Sequence, residues 1–121
     1  MWARDISLVQ DRRRAPRVEL RSPGTVDLGD YTVPCRILDV SSTGLALITP
    51  EPAPLRAIRV RFQLGDSEAA WTEIEGQVVR SADWDGEGDA QVWGLRFSPL
   101  DLGTRTRVRG YVASCQRRAS S

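Results

Sequence analysis

Four guanidinium groups lie close together near the start of the chain, at Arg12, Arg13, Arg14 and Arg17. A guanidinium carries a rigid fork of hydrogen-bond donors, no acceptor and a flat cationic face. It can pair with the O6 and N7 edge of guanine, stack on a purine ring or hold two phosphate oxygens. The cluster therefore predicts either an anionic, guanine-containing ligand or a solvated arm that contacts anionic surfaces without specificity.

The most specific spacing in this cluster is the four-residue separation of Arg13 and Arg17. The same spacing recurs at Arg17 and Arg21 and at Arg105 and Arg109. We predict that the second pair falls in or near a strand and that the third lies on an exposed helix face. Only the pair of Arg13 and Arg17 occupies a polar segment that is free to fold over a ligand.

A second pattern is the segment Asp39-Val40-Ser41-Ser42-Thr43-Gly44, which has Asp-x-Ser-x-x-Gly spacing. Asp and Ser bind their own backbone in turns and Gly accepts a positive φ, so a hairpin turn explains the pattern. Alternatively, the carboxylate of Asp39 orients an arginine or accepts from a base, and the hydroxyl of Ser41 reaches a phosphate. The residues alone leave both interpretations open.

The composition argues against catalysis. The chain has no histidine, which excludes histidine bases, Ser-His-Asp triads and histidine-ligated metals, and we expect no enzyme activity and no metal or cofactor. Glu73 and Glu75 alternate with apolar residues and are expected on a solvated face.

Cys35 and Cys115 are expected to be buried, reduced thiols. The net charge of +1 disfavours binding of long nucleic acid, and no apolar run reaches the roughly 18 residues of a membrane span, which favours a cytoplasmic protein.

Apolar residues alternate along most of the chain and predict short strands over residues 18–28, 31–39, 45–48, 58–64, 71–80 and 92–97. The period then changes to that of an amphipathic helix that begins after an N-cap at Ser98 or Asp101. We therefore predict a mainly β fold, a six-stranded antiparallel barrel with a C-terminal helix packed on it. Trp71 and Trp93 are expected in the core or the cleft wall. Trp84 is expected to be exposed on an acidic loop, where it either anchors a partner or folds back on the barrel.

The two motifs occur in an order and at a separation that resemble the PilZ domain family, which has RxxxR in an N-terminal loop and D/NxSxxG at a hairpin. The segment Trp93-Gly94-Leu95-Arg96-Phe97 also resembles the last barrel strand of that family. The resemblance covers residues 11 to about 115. It implies a stand-alone PilZ-like domain over residues 11–116, with a flexible leader over residues 1–10 and a disordered tail over residues 117–121.

PilZ domains bind the second messenger cyclic diguanylate (cyclic di-GMP), and the resemblance assigns the ligand contacts here. It implies that Arg13 and Arg17 hold guanine edges and phosphates, that Asp39 and Ser41 contact the other side of the ligand, and that Gly44 shapes the turn. The ligand would order the N-terminal loop and change contacts with an unknown effector protein in trans.

A third arginine immediately ahead of the motif, Arg12, resembles the variant that binds two intercalated ligand molecules. Further candidates for the same cleft are Arg14, Arg80 and Gly94. The oligomeric state is left as a monomer or a weak dimer. Two alternatives remain: a PilZ-type adaptor that binds protein without nucleotide, and a single-stranded nucleic-acid binder.

Overall fold

The computed structural model describes residues 17–65, 71–84 and 89–120. The predicted ligand contacts at Arg12, Arg13 and Arg14 and the leader over residues 1–10 lie outside the described residues. The strands are β1 (Val18–Asp27), β2 (Thr32–Val40), β3 (Gly44–Thr49), β4 (Ile58–Gln63), β5 (Trp71–Asp83) and β6 (Gln91–Phe97), and the helix is α1 (Leu102–Ser120).

The six strands form a closed antiparallel barrel in the order β1-β2-β3-β6-β5-β4. Closure comes from the pairing of β1 with β4, which joins residues 24–27 to residues 59–62. The pairing leaves none of these strands at an open sheet edge. The predicted fold class is therefore confirmed.

The barrel core consists of inward-facing side chains from all six strands, because alternate residues of a strand point to opposite faces. Trp93 is fully buried, and its indole N–H donates to the backbone carbonyl of Glu51 at 3.1 Å. Helix α1 adds Val108 and Val112 to the same core. Cys35 and Cys115 are free, half-buried thiols, and burial raises the pKa of the Cys35 thiol to about 12.

The outer face of β4 and β5 carries paired opposite charges. Arg59 lies opposite Glu75 and Arg61 opposite Glu73, as expected for a solvated face. Trp71 also lies on this face, where 36% of it is exposed and Arg61 stacks 5.0 Å from the ring centroid. The predicted core or cleft position of Trp71 is therefore wrong, because its parity is that of the two glutamates.

Helix α1 begins at an N-cap provided by Asp101. The carboxylate accepts the Thr104 N–H at 2.8 Å and the Thr104 hydroxyl at 3.1 Å, and these hydrogen bonds lower the pKa of Asp101.

The helix continues to Ser120, so the expected disordered tail is wrong for residues 117–120. Arg117 and Arg118 are good helix formers and favour the negative end of the helix dipole. No described helix is both long and apolar enough to cross a membrane.

Three irregularities interrupt the strand pairing near one part of the outer surface. They lie between Glu19 and Ser22 in β1, between Ile37 and Asp39 in β2, and between Val78 and Arg80 in β5. Such bulges redirect side chains locally. In β2, the extra residue Leu38 shifts the alternation so that Val40 is buried in the core. An uninterrupted alternation would give Asp39 the inward parity of Ile37, but the bulge turns Asp39 to the outer face.

Candidate functional site

Four of the pairings between neighbouring strands align five residues across the outside of the barrel. In order, they are Glu19, Asp39, Ala46, Gly94 and Arg80, from β1, β2, β3, β6 and β5 respectively. Ala46 and Gly94 are small and leave a shallow floor between Asp39 on one side and Arg80 on the other. The pairing therefore places Asp39, Gly94 and Arg80, all predicted site residues, on a single continuous surface.

Arg17 and Asp39 form a half-buried ion pair at one end of this surface. The Arg17 Nη1 atom lies 3.6 Å from Asp39 Oδ1, and the side chains are 27% and 30% exposed. The arginine directly precedes β1 and the aspartate is the last residue but one of β2, so the pairing of these two strands brings the two motifs into contact. The N-terminal segment of Arg12 to Arg17, the arginine loop, was expected to face this turn, and Arg17 lies there.

Arg80 lies at the other end of the surface, with its side chain across Gly94. A Cβ atom at position 94 would lie 2.9 Å from Arg80 Cγ, so glycine there lets the arginine stem pack against the strand. Burial, with the nearby positive charges of Arg17 and Arg96, lowers the pKa of the Arg80 guanidinium. Arg17, Arg80 and Arg96 thus concentrate positive charge beside the turn after β2, and a bound anion would reduce their mutual repulsion.

Ser41 occupies the turn itself and is buried. Its hydroxyl oxygen lies 3.2 Å from the backbone nitrogens of Thr43 and Gly44, whose N–H groups it accepts. A backbone hydrogen bond of 2.8 Å from Ser41 N–H to the Gly44 carbonyl closes the turn. The observed contacts of Ser41 are those of the turn interpretation.

Glycine is required at position 44 for a reason other than the positive φ expected of a glycine in a turn. Gly44 does not lie among the described residues of positive φ, which are Arg21, Gly29 and Gly65. A Cβ atom at position 44 would instead lie 2.2 Å from the Leu95 carbonyl oxygen on β6. Glycine is therefore required at the start of β3 for the close approach of the neighbouring strand.

A surface cavity of about 540 Å³ adjoins the pair of Arg17 and Asp39. This volume lies within the range of roughly 300–1,000 Å³ typical of small-molecule sites. We call the cavity the arginine groove and define it by its described lining residues, which are Arg17, Val18, Glu19, Arg21, Arg36, Leu38, Asp39, Ile48 and Trp84. A second cavity of about 520 Å³ continues it along the barrel and shares Arg21, Arg36 and Ile48.

Seven of the nine described lining residues were not predicted as site residues, and three of the seven, Arg21, Arg36 and Trp84, carry a guanidinium or an indole. Arg21 was set aside because it lies in a strand, yet it sits in the β1 bulge with a φ of 51°, a left-handed conformation that is uncommon outside glycine. Its guanidinium binds Glu19 at 3.0 Å. The strand pattern gives the outward parity of Arg36, but no local pattern indicates where the Trp84 ring lies.

The chemistry of the groove suits an anionic ligand with planar rings. Three arginines and two carboxylates line it, an excess of one positive charge, and an indole completes the lining. Guanidinium groups bind phosphates and purine edges, and indole stacks on bases. Within the described ranges, no group of three His, Cys, Asp or Glu residues is placed to hold a metal ion.

The sequence is similar to a known protein family. The sequence model of the PilZ domain matches residues 11–114. No curated protein matches the chain significantly.

Solved structures of low sequence identity share the fold. The PilZ domain with c-di-GMP of YcgR from Escherichia coli has a TM-score of 0.68 at 17% identity, covering 89% of this chain and 94% of that one. The Bacillus subtilis inhibitor of motility (MotI/DgrA) has a TM-score of 0.74 at 16% identity, covering 91% of this chain and 53% of that one. The MrkH–c-di-GMP complex from K. pneumonia has a TM-score of 0.68 at 19% identity, covering 90% of this chain and 54% of that one. The chain therefore spans about half the length of the last two.

Proposed function

Because the chain belongs to the PilZ domain family, we propose that it is a receptor for cyclic di-GMP that binds the ligand at the arginine groove and is not an enzyme. Two structures support the choice of cyclic di-GMP as the ligand, because the YcgR domain and MrkH were solved with c-di-GMP. The observation on this chain that carries the proposal is the contact of Arg17 with Asp39, which joins the two motifs, since both residues line a cavity of suitable size.

The charge distribution supports a ligand with two phosphates. Burial, and repulsion from the nearby charges of Arg17 and Arg96, lower the pKa of the Arg80 guanidinium. A doubly anionic ligand would offset that repulsion, and each hydrogen bond between a phosphate and a guanidinium contributes roughly 1.5–3 kcal/mol. Arg17 therefore binds a phosphate or a guanine edge in this proposal, and Asp39 keeps the guanidinium oriented.

The residues ahead of β1 complete the proposed site. Arg13 shares the four-residue spacing with Arg17 and binds the ligand from the arginine loop, and Arg14 is a further contact. Arg12 allows a second, intercalated ligand molecule. Ligand binding fixes this loop against the barrel and presents a changed surface to an effector protein in trans, within the cytoplasm.

The test is calorimetric titration of the full chain with cyclic di-GMP. Arg17→Ala removes the guanidinium that contacts Asp39 and is expected to weaken binding roughly tenfold to a hundredfold. Arg109→Ala is the matched control, because Arg109 belongs to a pair with the same spacing but lies exposed on α1, and it is expected to keep full affinity. Equal affinity of the Arg17 variant and the wild type would refute the proposed site.

A second candidate is an adaptor that uses the same fold without nucleotide. The observation that favours it is Ser41, whose hydroxyl is engaged by the turn, so that the serine of the motif is needed even without a ligand. Failure of the wild-type protein to bind cyclic di-GMP at high micromolar concentration would favour the adaptor.

A further inference from the structure

Trp84 lines the arginine groove and is half-buried. The residue follows directly after β5, and its backbone N–H donates to the Ala90 carbonyl at 2.9 Å. Next to it, Gln91 Nε2 donates to Asp83 Oδ1 at 2.8 Å. These bonds tie the ends of β5 and β6 together and hold the backbone of Trp84 beside the groove.

The floor beside Trp84 is apolar and ends at a guanidinium. Strand pairing aligns Arg36, Ile48, Val92 and Ala82 across β2, β3, β6 and β5, and the last three are half-buried on the outer face. Arg36 is exposed, and its side chain forms no hydrogen bond or ion pair in the part of the chain that the structure describes. The guanidinium of Arg36 is thus available to a ligand that lies on this floor.

An indole, an aliphatic floor and a guanidinium form a site for a flat, polar ring. Indole and guanidinium both stack on purines, and the guanidinium can also donate to the O6 and N7 edge of guanine. Arg36 precedes Asp39 by three residues of β2, roughly 10 Å along the strand. A nucleotide whose phosphate lies near Arg17 and Asp39 can therefore extend its base toward Trp84.

We propose that Trp84 and Arg36 form a base subsite, in which the indole stacks on one guanine of cyclic di-GMP and Arg36 contacts the same base. This proposal rests on the proposed function, and it extends the site from the arginine loop and the turn to the β5–β6 end of the groove. It assigns a ligand contact to a loop tryptophan that neither motif contains.

Calorimetry with tryptophan variants tests the subsite. Trp84→Ala is expected to weaken cyclic di-GMP binding roughly tenfold to a hundredfold, as for loss of one base stack, and Trp84→Phe to keep most of the affinity. Arg36→Ala is expected to weaken binding less than Trp84→Ala does. The matched control is Trp71→Ala, which removes an exposed tryptophan from the opposite wall of the barrel and should leave affinity unchanged.

The outcomes separate this proposal from the one that it extends. If the wild type binds and Arg17→Ala binds more weakly, while Trp84→Ala binds like the wild type, the base subsite is wrong and the receptor function stands. If the wild type does not bind cyclic di-GMP, both proposals fail.

A spectroscopic test covers the case in which Trp84→Ala does not fold. Stacking on guanine changes indole emission, so the ligand should change the fluorescence of a Trp2→Phe protein, in which the leader carries no tryptophan. Adding Trp84→Phe should abolish that change, whereas adding Trp71→Phe should not. A ligand-induced change that persists without Trp84 would overturn the subsite.

Discussion

Ser41 and Asp39 belong to one sequence motif, but they make different contacts. Its buried hydroxyl accepts the N–H groups of Thr43 and Gly44 within the turn, and buried donors that lose their acceptor are costly. Asp39 differs, because its carboxylate faces the arginine groove rather than the turn. The motif thus divides into a residue that builds the turn and a residue that contacts the arginine.

We predict that Ser41→Ala lowers the free energy of unfolding by about 1–3 kcal/mol, because two backbone N–H groups lose their acceptor. Chemical denaturation measures the change. The control is the neighbouring Ser42→Ala, which should stay within about 0.5 kcal/mol of the wild type. Unchanged stability of Ser41→Ala, with lost affinity for cyclic di-GMP, would instead assign the hydroxyl to the ligand.

Among individual residues, the sequence predicted Arg17, Asp39 and Arg80 near one another, and the structure brings them to one surface. It did not predict Trp84 or Arg36 as neighbours of that site. The position of the Trp84 ring depends on how the ends of β5 and β6 are joined, which is a tertiary property that no local spacing expresses.

At the scale of the elements, the site depends on three strand bulges and on glycines that permit close approach. The bulge at Leu38 turns Asp39 outward, and the bulge after Val78 precedes Arg80 on the opposite side of the surface. Gly44 meets the backbone of β6 and Gly94 meets the stem of Arg80. These irregular positions set the direction of the charged side chains.

A pair of glycine variants tests the role of close strand approach. Gly44→Ala places a Cβ atom 2.2 Å from the Leu95 carbonyl oxygen, which cannot move without displacing β6, and should destabilise the fold by about 1–3 kcal/mol or more. Gly110→Ala lies on α1 with no atom within 4 Å of the added Cβ and should stabilise it by about 1 kcal/mol. Similar unfolding midpoints for the two variants in denaturant would contradict this explanation.

The N-cap of α1 predicts a specific dependence on pH. Hydrogen bonds from Thr104 lower the pKa of Asp101 below its ordinary value of 3.8, so the ionised cap stabilises the fold above that pH. The stabilisation is lost as the pH falls through the lower folded-state value. Asp101→Ala should therefore melt a few degrees below the wild type at neutral pH, and the difference should shrink in acid below pH 3.8.

The matched variant for the cap is Asp101→Asn, which keeps a capping oxygen and should lose less stability than the alanine variant. A difference in melting temperature between wild type and Asp101→Ala that is the same at neutral and strongly acidic pH would contradict the proposed cap.

Alternation and helical periodicity were enough to predict the six strands and the helix, because each strand buries one face in a small core. The same periodicity failed at Asp39, since one extra residue in β2 reverses every later side chain. It also failed at the end of α1, where Arg117 and Arg118 have no apolar pattern although they favour a helix C-terminus. Local irregularities are therefore the part of this fold that the pattern did not predict.

For the whole molecule, the net charge of +1 conceals an uneven distribution. Helix α1 carries five arginines and no acidic residue. Three further arginines, Arg17, Arg80 and Arg96, lie near one another beside the arginine groove. On the outer face of β4 and β5, by contrast, Glu73 and Glu75 offset the charges of the arginines that they lie opposite. Local positive charge thus attracts a small anion without the broad basic face that long nucleic acid requires.

This distribution predicts how salt affects binding. Added salt should weaken cyclic di-GMP binding moderately, because it screens the partly exposed arginines of the groove. Single-stranded oligonucleotides should bind more weakly than cyclic di-GMP in moderate salt. Competition in a fluorescence or calorimetric titration measures both effects, and tighter binding of the oligonucleotide would favour a nucleic-acid binder.

The most direct measurement is a calorimetric titration of the wild-type chain with cyclic di-GMP that reports affinity and stoichiometry together. We expect saturable binding, lost or strongly weakened in Arg17→Ala and retained in Arg109→Ala. A ratio near two ligands per chain would support the intercalated pair proposed from Arg12, and a ratio near one would argue against it. Absence of binding at high micromolar ligand would contradict the receptor function.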